Sequence, residues 1–338
     1  MGKSVLVNQR IQTSIKFIVA AVAATMVLAF AHATTAGAAE TANTLKLSPL
    51  RTDIDIKPGE RRAVKMTITN VTGEAITVHP VTNDFLSADE RGTPSLILDE
   101  DKFAPSRSLK RFMGTIADVT IPAKQSKTIS VMITVPADAK AGGYFGAVRF
   151  TPTSPDSGGQ VNLSANVATL ILLKVPGEVT EKLELTDFAV QQNGNSGMYF
   201  GSPDNLEVLA RFENKGGAQA GPFGKISVTQ GDKVVYQTDF NNKDPRDVIL
   251  PDAARRWNVP IEKIGEFGYY TVHATFTYGE KNQTIEVAKS FWVVPMWMVI
   301  AAVVGVLLLI GAIILMTMLI RRRKRRHAVH HRRGGLRR

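Results

Sequence analysis

Lys127–Pro136 reads KTISVMITVP, and its pattern decides the fold. Ile129, Val131, Ile133 and Val135 alternate with Ser130, Met132 and Thr134. A period of two sends successive side chains to opposite faces, so this is a strand with one face on a core. The same pattern recurs outward from it. In RRAVKMTIT (Arg61–Thr69), Val64, Met66 and Ile68 share a face. In LEVLARFEN (Leu206–Asn214), Leu206, Val208, Ala210 and Phe212 do so, with Glu207, Arg211 and Glu213 turned away. In YTVHATFTY (Tyr270–Tyr278), Val272, Ala274, Phe276 and Tyr278 repeat it. Turn signals divide these runs: KPGE at Lys57–Glu60, TGE at Thr72–Glu74, QGDK at Gln230–Lys233 and YGEKN at Tyr278–Asn282. Between residues 41 and 294 there is no amphipathic helical pattern of convincing length. Many short strands with this spacing predict β-sandwiches.

Two further runs read as strong strands, GYFGAVRF (Gly143–Phe150) and the apolar NVATLILLKV (Asn166–Val175). They flank TPTSPDSGGQ (Thr151–Gln160), which reads as a long hairpin loop within one domain. Pro176-Gly177 breaks the second run, and a new strand is expected near Lys182. The fold class is therefore all-β, two tandem Ig-like sandwiches over 41–176 and 178–294. The chain has no cysteine, so packed cores alone must stabilise both.

The two ends are of another kind. Lys3, Arg10 and Lys16 precede the apolar Phe17–Phe30, and Ala36-Gly37-Ala38 supplies small residues at A-x-A spacing. Residues 1–38 have the form of a secretory signal peptide. Trp297–Ile320 is 24 residues without a charge. As a helix it reaches roughly 36 Å, enough to cross a ~30 Å hydrocarbon core. Trp292 and Trp297 mark its first edge, and the run RRRKRR from Arg321 marks its second.

The formal charge of +11 divides unevenly. The tail 321–338 holds ten Lys/Arg, and residues 1–40 hold three against Glu40. Residues 41–320 then carry 28 basic and 29 acidic side chains, a net −1. The basic excess thus marks membrane topology, with the tail cytoplasmic and both sandwiches extracellular. The tail also attracts anionic lipid head groups. It has no aromatic residue for base stacking, so no nucleic acid is expected as a partner.

Outside the signal peptide and the tail only His79 and His273 remain, and each sits within a strand pattern. Neither a triad nor a zinc site is expected from two distant histidines, and no cofactor or metal is implied. Asp99-Glu100-Asp101 lacks a calcium-loop spacing and reads as a solvated acidic loop. Trp257, beside Val259 and Ile261, reads as a core aromatic. FENKGG at 212–217 reads as a strand running into a glycine turn and lacks the Lys-Ser/Thr of a phosphate loop. Gly142-Gly143 permits a turn that a Cβ would resist, and Gly146 lets something pack close. Tyr144 and Phe145 point to opposite faces of their strand. One is expected in the core, and the other is the candidate ligand contact.

Taken together, these stretches resemble a known family. LKLSPLRTDIDIKPGERRAVKMTITNVTGEAITV (Leu45–Val78) and VTIPAKQSKTISVMITVPADAKAGGYFGAVRF (Val119–Phe150) are similar to the Ig-like domain of bacterial WxL-interacting, peptidoglycan-binding surface proteins. Leu206–Val228, Val248–Val259 and Gly268–Pro295 resemble that domain's usual companion. The resemblance implies a non-catalytic, single-pass plasma-membrane protein that binds wall peptidoglycan or other exported surface proteins. It assigns no ligand contacts residue by residue. The alternative is an Ig-like chaperone, or a subunit of an envelope assembly complex, acting by strand addition at a sheet edge.

Overall fold

The structure, a computed structural model, describes residues 44–153 and 167–333, with backbone only for 322–333. The signal-peptide reading of 1–38, loop residues 154–160 and the end of the basic tail lie outside the described residues.

Among the described residues, nine strands form the first sandwich: β1 (Leu45–Ser48), β2 (Arg51–Asp55), β3 (Arg61–Asn70), β4 (Ile76–Ser87), β5 (Pro94–Leu96), β6 (Val119–Ile121), β7 (Ser126–Thr134), β8 (Gly142–Thr153) and β9 (Val167–Val175). One sheet runs β1-β3-β7, and the other β2-β9-β8-β4-β5, with β6 on β4. β2 lies parallel to β9, while β8 and β9 pair antiparallel as expected of a hairpin. The core forms where the alternating faces meet. Val64, Met66, Ile68, Val131 and Ile133 pack on Val148, Phe150, Ile171 and Leu173.

The second sandwich contains β10 (Leu183–Gln192), β11 (Asn195–Ser196), β12 (Tyr199–Phe200), β13 (Leu206–Asn214), β14 (Phe223–Gln230), β15 (Lys233–Phe240), β16 (Ala254–Pro260), β17 (Gly268–Tyr278) and β18 (Gln283–Val293). Its sheets run β11-β10-β13-β16 and β12-β18-β17-β14-β15. Val208, Ala210 and Phe212 face Ile226, Val272 and Phe276. Phe212 meets Phe276 edge to face at 4.9 Å. Trp257 packs on Phe212 and Phe240, so it is a core aromatic. The helix α1 (Met296–Arg333) follows two residues after β18. Its segment Met296–Arg321 is long and apolar enough to cross a membrane.

The ends of β3 and β13 are built alike. Asn70 donates from Nδ2 to the carbonyls of Glu74 and Ile121, and its Oδ1 accepts from Thr72 N–H. Asn214 donates to the carbonyls of Ala218 and Ile249, and its Oδ1 accepts from Gly216 N–H. In each sandwich a buried amide thus ties the turn after a core strand to a neighbouring segment, satisfying carbonyls that burial would leave unpaired. Buried Asp84 does the same for residues 104–110, accepting the N–H groups of Ala104 and Lys110, each at 2.8 Å.

β8 and β9 are buried on both faces. The inner faces of β8 and β9 fill the first core. Their outer faces, with Phe145, Ala147 and Leu172, join Phe85 and are covered by Val248 and Leu250 of the second sandwich. The two sandwiches therefore share an apolar seam.

Candidate functional site

The polar part of this junction begins at Glu90, in the turn between β4 and β5. Its carboxylate accepts from Arg211 Nε and Nη2 at 3.0 and 2.8 Å, and Arg256 Nη2 lies 3.3 Å away. Its carbonyl accepts from Arg256 N–H at 2.6 Å, so the turn caps the outer edge of β16. The hydrogen bond from Arg211 holds the Glu90 carboxyl below the usual glutamate value. Asp89 shapes the turn by accepting from the N–H groups of Thr93 and Arg91 and the hydroxyl of Thr93. Gly92 sits at φ +84°, and a Cβ there would lie 2.5 Å from the Arg255 guanidinium.

Beside the seam a cleft of about 610 Å³ opens between the sandwiches. Interdomain concavities of this size are the usual place for ligands. β2 contributes Arg51, whose Nε and Nη2 grip Asp53 at 2.9 and 2.6 Å while Nη1 donates to the Arg246 carbonyl at 2.7 Å. Arg246 lays its guanidinium over the Phe223 ring at 3.8 Å, a cation–π contact. Asn241 donates to the carbonyls of Pro222 and Asp247, which fixes the loop that carries Arg246. Lys174, at the end of β9, pairs with Glu280 in the β17–β18 turn, and that contact lowers the Glu280 carboxyl from its ordinary value. Glu181 accepts from Glu280 N–H. Gln219 also lines the cleft, and its buried Oε1 has no hydrogen-bond partner among the described residues. Cations and carboxylates alternate around the walls, so the cleft is polar without one dominant sign. Such a lining suits a polar chain that offers hydroxyls, amides and carboxylates together.

Tyr144 and Phe145 do face opposite ways, but both rings are packed. Phe145 keeps 4% of its surface exposed and lies in the seam, at 6.1 Å from Phe85. Tyr144 is half-buried on Phe112 at 4.9 Å, and its hydroxyl donates to the Lys140 carbonyl at 2.9 Å. The contact made by the outer face of this strand is with the second sandwich. Gly142, at φ +137°, comes so close to Gly217 that a Cβ would lie 2.7 Å from its carbonyl oxygen. At Gly146 a Cβ would lie 2.9 Å from Met113 and 3.0 Å from Leu109, the side chains that pack close there.

The histidines belong to different sandwiches. His79 bonds Asp118 through Nδ1 at 2.6 Å, and His273 is exposed. Among the described residues no group of three or more His, Cys, Asp or Glu could hold a metal ion. Asp99 pairs with Lys102 at 2.9 Å in an exposed loop, as the sequence suggests. Among the described residues, β7 meets Met113 and Gly114 on its outer side, while β15 pairs with β14. Lys233 and Asp239 place opposite charges near the two ends of β15.

Residues 52–152 match the family model described as WxL Interacting Protein, peptidoglycan binding domain. The match covers β2 through most of β8 and bears out the resemblance read from the sequence for that first domain. No curated protein matches the chain. Among solved structures, the chain is similar to the class 5 fimbriae chaperone CfaA, at 14% identity and TM-score 0.38, over 72% of this chain and 98% of that one. The E. coli chaperone DraB is 16% identical at TM-score 0.32, over 74% and 96%. The Pseudomonas aeruginosa CupB2 chaperone is 8% identical at TM-score 0.32, over 73% and 100%.

Proposed function

We propose that this chain, whose first sandwich carries the WxL-interacting-protein peptidoglycan-binding domain, holds wall polymer or a wall-associated protein at the outer face of the plasma membrane, without catalysis. The family match over 52–152 carries the reading. Residues 41–176 and 178–294 act as two domains, α1 crosses the bilayer, and the basic tail lies inside. The stop-transfer pattern of an apolar helix followed by Arg321 and its neighbours supports that orientation.

The ligand contact is placed in the junction cleft. Its walls combine Arg51, Lys174 and Arg246 with the carboxylates of Asp53, Glu181 and Glu280. Peptidoglycan presents sugar hydroxyls, amides and peptide carboxylates, and that mixture matches the lining. The geometry adds reach. The cleft meets β18 at its first turn, and α1 begins two residues past its last. The 11 residues of β18 therefore stand the cleft roughly 35 Å from the start of the helix.

Co-sedimentation of residues 41–294 with purified sacculi tests the reading. The protein is expected in the pellet, and Arg246→Ala is expected to shift it toward the supernatant without lowering its melting temperature. Failure of the parent protein to sediment, with capture of an exported protein instead, would move the ligand from polymer to protein.

A further inference from the structure

The end of the second sandwich next to α1 carries exposed aromatic side chains that no core explains. Tyr199 pairs with Trp292 across β12 and β18, and Trp292 pairs with Tyr269 across β18 and β17. The three therefore form a row on one face of the sheet. Tyr199 is 71% exposed, Tyr269 47% and Trp292 37%. The Tyr269 and Trp292 rings stand 4.9 Å apart. Phe267, just before β17, and Met198, just before β12, are exposed at the same end. One step up the sheet the row turns polar, with Thr271 hydrogen-bonded to Ser290 at 3.0 Å, and then His273 opposite Ala288. The exposed aromatic row lies at the end of this face where the chain is about to enter α1.

The chain geometry fixes what lies against it. β18 ends at Val293 and α1 starts at Met296, so two residues separate the sheet from the helix. The three Cα steps from Val293 to Met296 reach at most about 11 Å. The connection is also tied down, since Trp292 N–H donates to the Met198 carbonyl and Val294 N–H to that of Phe200. A polar headgroup zone is about 5–8 Å deep on each side of the hydrocarbon core. Amphipathic Tyr and Trp rings favour that zone, with the apolar body inward and the polar edge in water.

We infer that Tyr199, Tyr269 and Trp292 form a lipid-docking collar, which seats the end of the second sandwich in the headgroup layer of the bilayer that α1 crosses. This rests on the reading of α1 as a membrane span. The partner is the phospholipid interface. The collar gives the sandwich a second attachment beside the helix, which limits its tilt and keeps the junction cleft at a set height.

The chain has three tryptophans, and they report separately. Trp257 lies in the second core, Trp292 in the collar and Trp297 at the start of α1. Three full-length chains, each keeping one tryptophan with the others changed to Phe, are placed in phosphatidylcholine vesicles with acyl chains brominated near the headgroup. The Trp292 chain is expected to lose emission as strongly as the Trp297 chain, while the Trp257 chain keeps its emission. Quenching of Trp297 without Trp292 overturns the collar and leaves the anchor standing. Quenching of neither overturns the anchor and the collar with it. Equal quenching of Trp257 also overturns the collar, because lipid would then reach the whole sandwich. Should Trp257→Phe disturb folding, Trp292→Phe alone in the otherwise unaltered chain is the second test. Bromine-sensitive emission is expected to fall, and an unchanged value refutes the collar.

Discussion

The Glu90 carboxylate of the first sandwich and the Arg211 guanidinium of the second are joined by two hydrogen bonds, at 3.0 and 2.8 Å. No covalent staple is available to a chain without cysteine, so contacts of this kind must hold the junction. The pair is partly open to solvent, and its worth is about 1 kcal/mol or less.

Its pH dependence has a definite sign. Arg211 lowers the Glu90 carboxyl in the folded protein, so the unfolded chain takes up the proton first as pH falls. The contribution is complete above the ordinary glutamate value of about 4.3 and is lost as pH drops from there through the lowered one. Hydrogen exchange at residues 88–93 and 211 is expected to quicken below that value. In Glu90→Gln the same amides should exchange faster at neutral pH and respond little to acid.

Two glycines give a controlled comparison. Gly142→Ala puts a Cβ at φ +137° and 2.7 Å from the Gly217 carbonyl, and should cost about 1–3 kcal/mol of stability. Gly73 has open space around it and no left-handed φ, so Gly73→Ala should be neutral or stabilise by up to about 1 kcal/mol. Thermal unfolding of the two variants checks the contrast.

Phe145→Ala removes a ring from the seam and should cost about 3–5 kcal/mol. The loss should appear first as exchange at 248–250, where the second sandwich covers it. Tyr144→Phe removes one surface hydrogen bond to Lys140 and should cost about 1 kcal/mol. If Tyr144 touches the ligand through its hydroxyl, Tyr144→Phe should also weaken sedimentation with sacculi, and an unaltered pellet places the contact elsewhere.

In the cleft, Arg246→Ala should weaken ligand binding about tenfold, the equivalent of one charge-assisted hydrogen bond of about 1.5 kcal/mol. Its side chain rests on Phe223 at the surface, so the melting temperature should change little. Equal losses of binding and stability would make Arg246 a structural residue.

Much of this architecture was legible because it repeats locally. Val64, Met66 and Ile68, and likewise Ile129, Val131 and Ile133, are buried in the alternation that their spacing predicts. The break at Pro176-Gly177 falls between β9 and β10. The junction was not legible. The runs of β8 and β9 read as strong strands, but the cover of their outer faces, Val248 and Leu250, comes from the loop before β16, with no period of its own. Glu90, Arg211 and Arg256 look like ordinary surface charges, since pairing across sandwiches leaves no local pattern. The cleft shares that origin: Arg51 and Arg246 meet through a side chain and a carbonyl 195 positions apart. Asn70 and Asn214 had a faint signal, an amide at the end of an alternating strand just before a turn.

The most direct test of the account is hydrogen exchange on the full chain in lipid nanodiscs, with and without solubilised peptidoglycan. Protection is expected at residues 51–53, 174–182, 214–223, 242–248 and 278–280, the segments that wall the cleft. Protection confined to other surfaces, or none at saturating polymer, would contradict the claim that this cleft holds the wall.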